Sequence, residues 1–297
     1  MKHSAPKKVR KAVFPVGGLG TRFLPATKSM PKEMLPVVDK PIIHYAFEEA
    51  CDAGIEQFIF VTGRNKAAIE NHFDYSYELQ HTLSSRDKNK ELALIRDWLP
   101  SPGSISYTRQ REALGLGHAV WCARNLVGDE PFAVILADDM VLAKKPCLKQ
   151  MIEQYAESGG NMAAVMDVPR EKTKSYGILD VKKSEGKLVT ARGLVEKPEP
   201  KDAPSTLSII GRYVLDPGIF HVLENQKKGS GGEIQLTDAM NSMIGKVPFY
   251  GYRFDGKRYD CGNQVGYVEA NIAFALDRKE MKGNLMKMMQ QFIDENS

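Results

Sequence analysis

Short apolar runs alternate with segments of helical period through the first 160 residues, and that alternation limits the possible folds more than any other feature. Each run followed by an amphipathic helix reads as a β-α unit, and repeated units imply a mostly parallel sheet covered by helices. Val9 to Phe14 is the first expected strand, and Pro41 opens a helix over Ile42 to Ala53. Strands are expected at Gln57 to Thr62 and Ser104 to Thr108, with helices at Asn65 to about Leu83 and Gly117 to Asn125. Phe132 to Leu136 reads as a strand buried on both faces, followed by a helix over Leu148 to Ser158.

Beyond residue 160 the pattern changes. Met162 to Val168, Gly177 to Val181, Leu188 to Glu196 and Leu207 to Tyr213 are strand-like with no helix between them, so some must pair antiparallel. Helices return at Gly218 to Glu224, Gln235 to Ile244 and Gln264 to Lys287. The polar stretches Asp167 to Ser175, Lys197 to Ser205 and Gln226 to Gly232 read as loops. No repeat or long linker divides the chain, so residues 1–297 are read as one continuous α/β domain.

A net charge of +4 does not suggest a nucleic-acid binder, and the longest apolar run, Phe132 to Ala137, is far too short to cross a membrane. Cys51, Cys122, Cys147 and Cys261 share no short spacing, which suits reduced thiols in a cytoplasm. The histidines form no zinc-like cluster; His72 and His81 are too far apart for one helix face. The basic start, Lys2, Lys7, Lys8, Arg10 and Lys11, is read as a solvated tail, because Pro15 and Gly17 interrupt the apolar stretch a signal peptide would need.

Directly after the first strand stands Pro15-Val16-Gly17-Gly18-Leu19-Gly20-Thr21-Arg22. Glycines let a backbone turn sharply and aim its amides at an anion. The spacing is not that of a dinucleotide loop, since Phe23 stands where the third glycine should be and no acidic residue closes the second strand near Thr62. A Walker loop also fails, for want of a following Gly-Lys-Ser/Thr. Arg22, Lys28 and Lys32 follow within a stretch that Pro25 and Pro31 keep from forming one regular helix. Fixed cations suit a site joining two phosphate groups. Each like-charge pair at 4 Å costs about 1 kcal/mol in water and about four times more at a protein-like dielectric. Arg22 offers a fork to phosphate oxygens and Lys32 a mobile point charge.

Asp138 and Asp139 follow the buried strand, at the end where open α/β sheets collect ligands. Mg²⁺ takes oxygen ligands, often one or two carboxylates, although carboxylates also cap turns. Asp139 is not expected to share an ion with its neighbour. Gln110 ends the third strand and is followed by Gly115; its amide offers a donor and an acceptor, as the edge of a pyrimidine requires. His118 and Trp121 are read as packing residues.

Taken together, Gly17 to Arg22 and Pro31-Lys32-Glu33-Met34-Leu35-Pro36-Val37 resemble the signature of the sugar-1-phosphate nucleotidyltransferase family. The likeness recurs at Gln110 to Val120, Leu136 to Met140, Glu196 to Pro198, Gly231 to Asp238 and Tyr259 to Asn263. It implies a Rossmann-like mixed, mainly parallel sheet with a smaller β-rich sugar-side lobe. The nucleotide-binding half would cover about 9–145 and the sugar-binding half, with the C-terminal helices, about 146–297. The resemblance also implies Mg²⁺, UTP and glucose 1-phosphate as reactants, UDP-glucose and pyrophosphate as products, and a dimer or tetramer.

Residue by residue, the resemblance assigns Gly17, Gly18, Gly20, Thr21, Gln110 and Gly115 to the nucleotide. Asp138 and Asp260 go to the metal, and Arg22 and Lys32 to the phosphates. Glu196, Gly177 and Gly211 go to the sugar, and Lys197 to the sugar's phosphate. Gly231-Gly232-Glu233 matches the family without an evident role beyond starting a helix. A sister enzyme using dTTP or another hexose phosphate remains an alternative, as does a silent nucleotide-sugar sensor. The sensor would be expected to lose Arg22, Lys32, Asp138 or Lys197, and all four are present.

Overall fold

The structure is a computed structural model that describes residues 6–296; Lys2 of the basic start lies outside them. β1 (Lys11–Pro15) leads through three short 3₁₀ turns to the two-residue strands β2 (Pro36–Val37) and β3 (Lys40–Pro41), then α1 (Ile42–Asp52) and β4 (Gln57–Thr62). Helices α2 (Ala67–His72), α3 (Tyr77–Ser85) and α4 (Asn89–Arg96) precede β5 (Ile105–Arg109). Next come α5 (Leu116–Cys122), α6 (Arg124–Val127), β6 (Phe132–Ile135), β7 (Asp139–Leu142) and α7 (Cys147–Ser158).

The second half runs β8 (Asn161–Asp167), β9 (Gly177–Glu185), β10 (Leu188–Glu196), β11 (Leu207–Leu215), α8 (Ile219–Glu224) and α9 (Leu236–Met243). It closes with β12 (Phe249–Arg253), β13 (Lys257–Asp260), α10 (Gln264–Asp277) and α11 (Lys279–Asn296).

One nine-stranded sheet in the order β5-β4-β1-β6-β11-β8-β12-β10-β9 runs through both halves. Pairing is parallel from β5 to β6, and β8 and β12 are also parallel; the remaining neighbours are antiparallel, as the missing helices after residue 160 require. β1 shows how the layers form. Ala12 and Phe14 face the core with Phe60, Phe47, Ile42 and Leu148, while Val13 faces the other core with Ile59, Val120 and Phe132. Phe14 and Phe60 stack with centroids 4.8 Å apart. Fully burying such side chains stabilises the fold by about 1.5–3 kcal/mol each.

Several boundaries differ from the sequence expectation. The helix expected over Asn65 to Leu83 is two, α2 and α3, because Phe73 turns into the core and Asp74 accepts a bond from the Tyr75 amide at 2.7 Å. α4 has no counterpart among the expected elements. The chain reverses into it at Asp87, whose φ is 55°, and the Lys88 amide donates to Leu83 O at 3.0 Å. The helix expected over Gln264 to Lys287 breaks at Arg278, which leaves helical geometry and donates to Asp39 at 2.6 Å and Tyr45 at 3.2 Å. β7 and β13 form a two-stranded arm pairing Asp139 with Asp260. The basic start is held down where it enters β1, with Lys8 on Glu56 and Arg10 on Glu130.

Candidate active site

The glycine turn forms where β1 ends. Gly17 lies so close to Gly63 that a methyl group on Gly63 would sit 2.8 Å from Gly17 O, while one on Gly17 would meet Gln110 Oε1 at 3.2 Å. These glycines let two backbones and an amide side chain meet in one floor. Gly20 turns through φ 68°, its carbonyl accepts from Thr27 Oγ1 at 2.7 Å, and Thr21 opens the 3₁₀ turn that carries Arg22. Gly18 is exposed along the same turn, beside Lys32. Pro31 then starts the short turn Lys32–Met34. Glu33, next to Lys32, points inward and receives Lys66 Nζ at 2.7 Å; the two side chains are 2% and 5% exposed. That buried pair ties the cationic stretch to the start of α2.

Beyond β6 the backbone is held from both sides. Leu136 N donates to Gly211 O at 2.9 Å, and the buried Arg212 donates to Leu136 O at 3.0 Å while forking onto Glu49 of α1. Asp138 then faces Lys32, with Nζ–Oδ2 at 2.5 Å. Burial opposes ionisation of Asp138, but the Lys32 ammonium outweighs it and holds the carboxyl below its ordinary range. Burial likewise lowers and Asp138 raises the Lys32 pKa, with a net rise.

Asp260, at the end of β13, comes to the same place. A methyl group on Gly262 would lie 2.9 Å from Asp260 Oδ1, 3.2 Å from Asp138 Oδ2 and 3.7 Å from Arg22 Nη1. Cys261 N donates to Asp138 O at 2.7 Å, and Arg22 Nη1 to Gly262 O at 3.3 Å, so one backbone and one side-chain bond lock the approach. Asp139 turns away: its oxygens accept from Arg258 and from Gly211 N at 2.7 Å.

These groups wall a cavity of about 570 Å³, whose lining includes Arg22, Asp138, Gly177, Glu196, Thr237 and Asp260. Glu196 lines the same cavity, and Lys197 Nζ, outside that lining, lies 3.3 Å from it. Lys197 adopts φ 47°, with its amide donating to Tyr176 O at 2.9 Å. A larger cavity, about 790 Å³, lies elsewhere against Lys7, Asp129, Asp216 and Glu224. It lacks every glycine turn and motif residue, so size does not mark the site here.

Among the glycines, Gly177 borders the cavity, where a methyl group would crowd Thr237 Oγ1 at 3.0 Å and Glu196 Oε2 at 3.3 Å. Gly211 also borders it, yet its tightest neighbour is protein: a methyl group would strike Leu136 Cβ at 2.6 Å. Gly115 has φ 103° and packs against Glu233 and Ile234. The Gly231-Gly232-Glu233 stretch thereby gains a role beyond starting a helix. It leads into Ile234, whose amide donates to Leu114 O at 2.7 Å and whose carbonyl accepts from Gly117 N at 2.8 Å. Gln110 Nε2 lies 3.1 Å from Gly115 O and from His118 Nδ1, so His118 orients that amide as well as packing.

Sequence reading missed Arg258, Tyr176 and Thr237 at the cavity wall, and the pairs Glu33–Lys66 and Arg212–Glu49 beneath it. The only advance signal was charge inside otherwise apolar or strand-like stretches, as at Arg212 in Leu207 to Leu215. Among the described residues no three His, Cys, Asp or Glu side chains cluster as a metal cage. Two all-oxygen donors beside open space still fit Mg²⁺, which takes few protein ligands and completes its shell with phosphate and water. The site can therefore bring two anionic reactants together among fixed cations.

A family model described as nucleotidyl transferase matches residues 11–276. The UTP–glucose-1-phosphate uridylyltransferase of Komagataeibacter xylinus is 54% identical over 259 residues, 87% of this chain and 91% of that protein. The enzyme of the same name from Bacillus subtilis is 50% identical over 288 residues, 97% of this chain and 98% of its own length. A UTP-bound UGPase structure from Acinetobacter baumannii aligns with a TM-score of 0.88 and 43% identity, over 95% of this chain and 99% of that one.

Proposed function

This chain belongs to the nucleotidyl transferase family, and on that premise we propose that it transfers a uridylyl group from UTP to glucose 1-phosphate, giving UDP-glucose and pyrophosphate. The observation that carries the proposal is convergence. Arg22, Asp138 and Asp260 gather around Gly262, Lys32 pairs with Asp138, and Glu196, paired in turn with Lys197, lines the same cavity.

Glucose 1-phosphate is mostly a dianion near neutral pH, because its second pKa is about 6. It needs no strong base. One of its phosphate oxygens attacks the α-phosphorus of UTP in line; that P–O bond forms as the bond to the β-phosphate breaks, and pyrophosphate leaves opposite. Catalysis is then positioning and charge neutralisation. Gln110 and Gly115 would read the uracil edge, with Gly17 and Gly18 touching the nucleoside side, and Gly20 and Thr21 would complete the nucleotide loop. Arg22 and Lys32 would hold the leaving pyrophosphate; Lys32 already contacts Asp138 and lies within reach of anything bound there. Lys197 would orient the attacking phosphate, and Glu196 would accept from sugar hydroxyls near Gly177 and Gly211. Asp138 and Asp260 would hold Mg²⁺, whose charge, when bound, neutralises phosphate oxygens and fixes the reacting geometry.

The reading treats the whole chain as one catalytic unit and places it in the cytoplasm, where its free cysteines would stay reduced. It includes a dimer or tetramer, supported by Met286, Met288 and Phe292 exposed along α11. The deciding assay follows pyrophosphate release with UTP, glucose 1-phosphate and Mg²⁺, then replaces UTP by dTTP, ATP, CTP or GTP and glucose 1-phosphate by other hexose 1-phosphates. UTP with glucose 1-phosphate should be fastest. Silence with every pair would sink the reading.

A further inference from the structure

Arg258 belongs to no recognisable motif, yet its side chain is 9% exposed and lines the cavity. Its guanidinium divides its bonds among three groups. Nε donates to Asp139 Oδ1 at 2.8 Å, joined by Nη2; Nη1 donates to the Tyr176 hydroxyl at 2.8 Å; and Nη2 lies 3.8 Å from Asp260 Oδ2. The cation also sits over the Tyr176 ring, 5.2 Å from its centroid.

A buried guanidinium that needed only a counter-ion would be satisfied by Asp139. The remaining contacts reach in two functional directions. Asp260 is one of the two carboxylates gathered at Gly262. Tyr176 accepts the Lys197 amide through its carbonyl at 2.9 Å, and the next residue, Gly177, pairs in register with Glu196. The rigid fork thus spans from the β13 carboxylate to the strand ends that carry the sugar-side grip.

We propose that Arg258 is a positioning residue that fixes the sugar-phosphate grip, Glu196 and Lys197, at working distance from Asp138 and Asp260. The inference rests on the uridylyl-transfer reading. It accounts for Asp139 as the anchor of Arg258 rather than as a third metal ligand, and for Tyr176 as the transmitting side chain. The geometry of the fork matters here, since lysine keeps the charge but cannot hold three groups in one plane.

The test compares Arg258→Lys, Tyr176→Phe and the double variant with the wild type. Arg258→Lys should lower kcat about 30-fold and raise the KM for glucose 1-phosphate about tenfold, with the KM for UTP within threefold. Tyr176→Phe, which removes one hydroxyl and keeps the ring, should move the same two parameters in the same direction by less. The double variant should be no worse than Arg258→Lys alone, because both changes cut one connection. The idea is overturned if Arg258→Lys stays within twofold of wild type, if the KM for UTP rises equally, or if the two changes multiply. Should Arg258→Lys not fold, Tyr176→Phe decides: glucose 1-phosphate kinetics within 20% of wild type would reject the inference. Wild-type turnover is the separate control. Its absence removes the uridylyl-transfer reading, whereas an active wild type with an unaffected Arg258→Lys removes only the role of Arg258.

Discussion

The two walls of the cavity are built by opposite means. On the proposed phosphate side, one continuous stretch from Val16 to Leu35 carries the glycine turn, Arg22, Lys32 and the prolines that shape it, and reaches the cavity through Arg22. On the proposed sugar side the cavity-lining groups are side chains from β10, α9 and β13, together with the residue before β9, held by ion pairs and single hydrogen bonds. A site made from contiguous backbone is written as glycines and prolines in a row. A site made from distant side chains is spelled only in fragments: Glu196-Lys197 alone reads as a solvated strand end, and Arg258, Tyr176 and Thr237 carry no local signal.

If that contrast is sound, substitutions on the two sides should fail differently. The largest effect is expected at the junction. Asp138→Asn should lower Mg²⁺-supported pyrophosphate release on the order of 10³-fold while the protein still folds, and near wild-type turnover at saturating Mg²⁺ would remove Asp138 from the metal site. Glu33→Gln strands the Lys66 ammonium in the core and should cost about 3 kcal/mol in the urea midpoint analysis. Combining Glu33→Leu with Lys66→Met should avoid most of that loss, since apolar pairs often substitute for buried ions.

Lys197→Ala sharpens the comparison from the other wall. It should raise the KM for glucose 1-phosphate about tenfold or more, in line with the loss of a charge-assisted hydrogen bond, and change that for UTP by less than about threefold. Equal effects on both would mean that the two walls do not divide the substrates.

The smallest effect lies away from both. Burial and then His44 lower the His72 pKa to about 4. A histidine that resists protonation only in the fold contributes fully above its unfolded pKa of about 6.5 and loses that contribution as pH falls toward 4. Discounted for partial solvent screening, the loss is on the order of 1 kcal/mol. His72→Gln should flatten the fall in melting temperature between pH 7 and pH 5, and an unchanged slope would remove His72 as its source.

How much of this was readable follows the same division. The parallel half was legible because β1, β4 and β6 are apolar runs ending in polar turns, and Asp138 was singled out because it follows the most buried of them. Adjacency alone argues against Asp139 as a ligand, and the structure gives it a partner of its own in Arg258. β13 could not be seen: Lys257-Arg258-Tyr259-Asp260 is short and charged, and becomes a strand only by pairing with β7. The division of residues 65–85 into two helices depended on Phe73 entering the core, a tertiary event with no periodic trace. Gly231-Gly232-Glu233 stayed opaque because its partner, Leu114 to Gly117, lies more than a hundred residues earlier.

Gly211 carries a lesson for anyone wishing to widen the range of sugars accepted. It looks like a vacant corner suited to reshaping, but its far side is the chain segment that presents Asp138. Bulk added there would push on the segment that carries Asp138, so under the proposed roles a changed sugar preference would come bundled with changed metal binding. Thr237, on a separate helix, is the better handle.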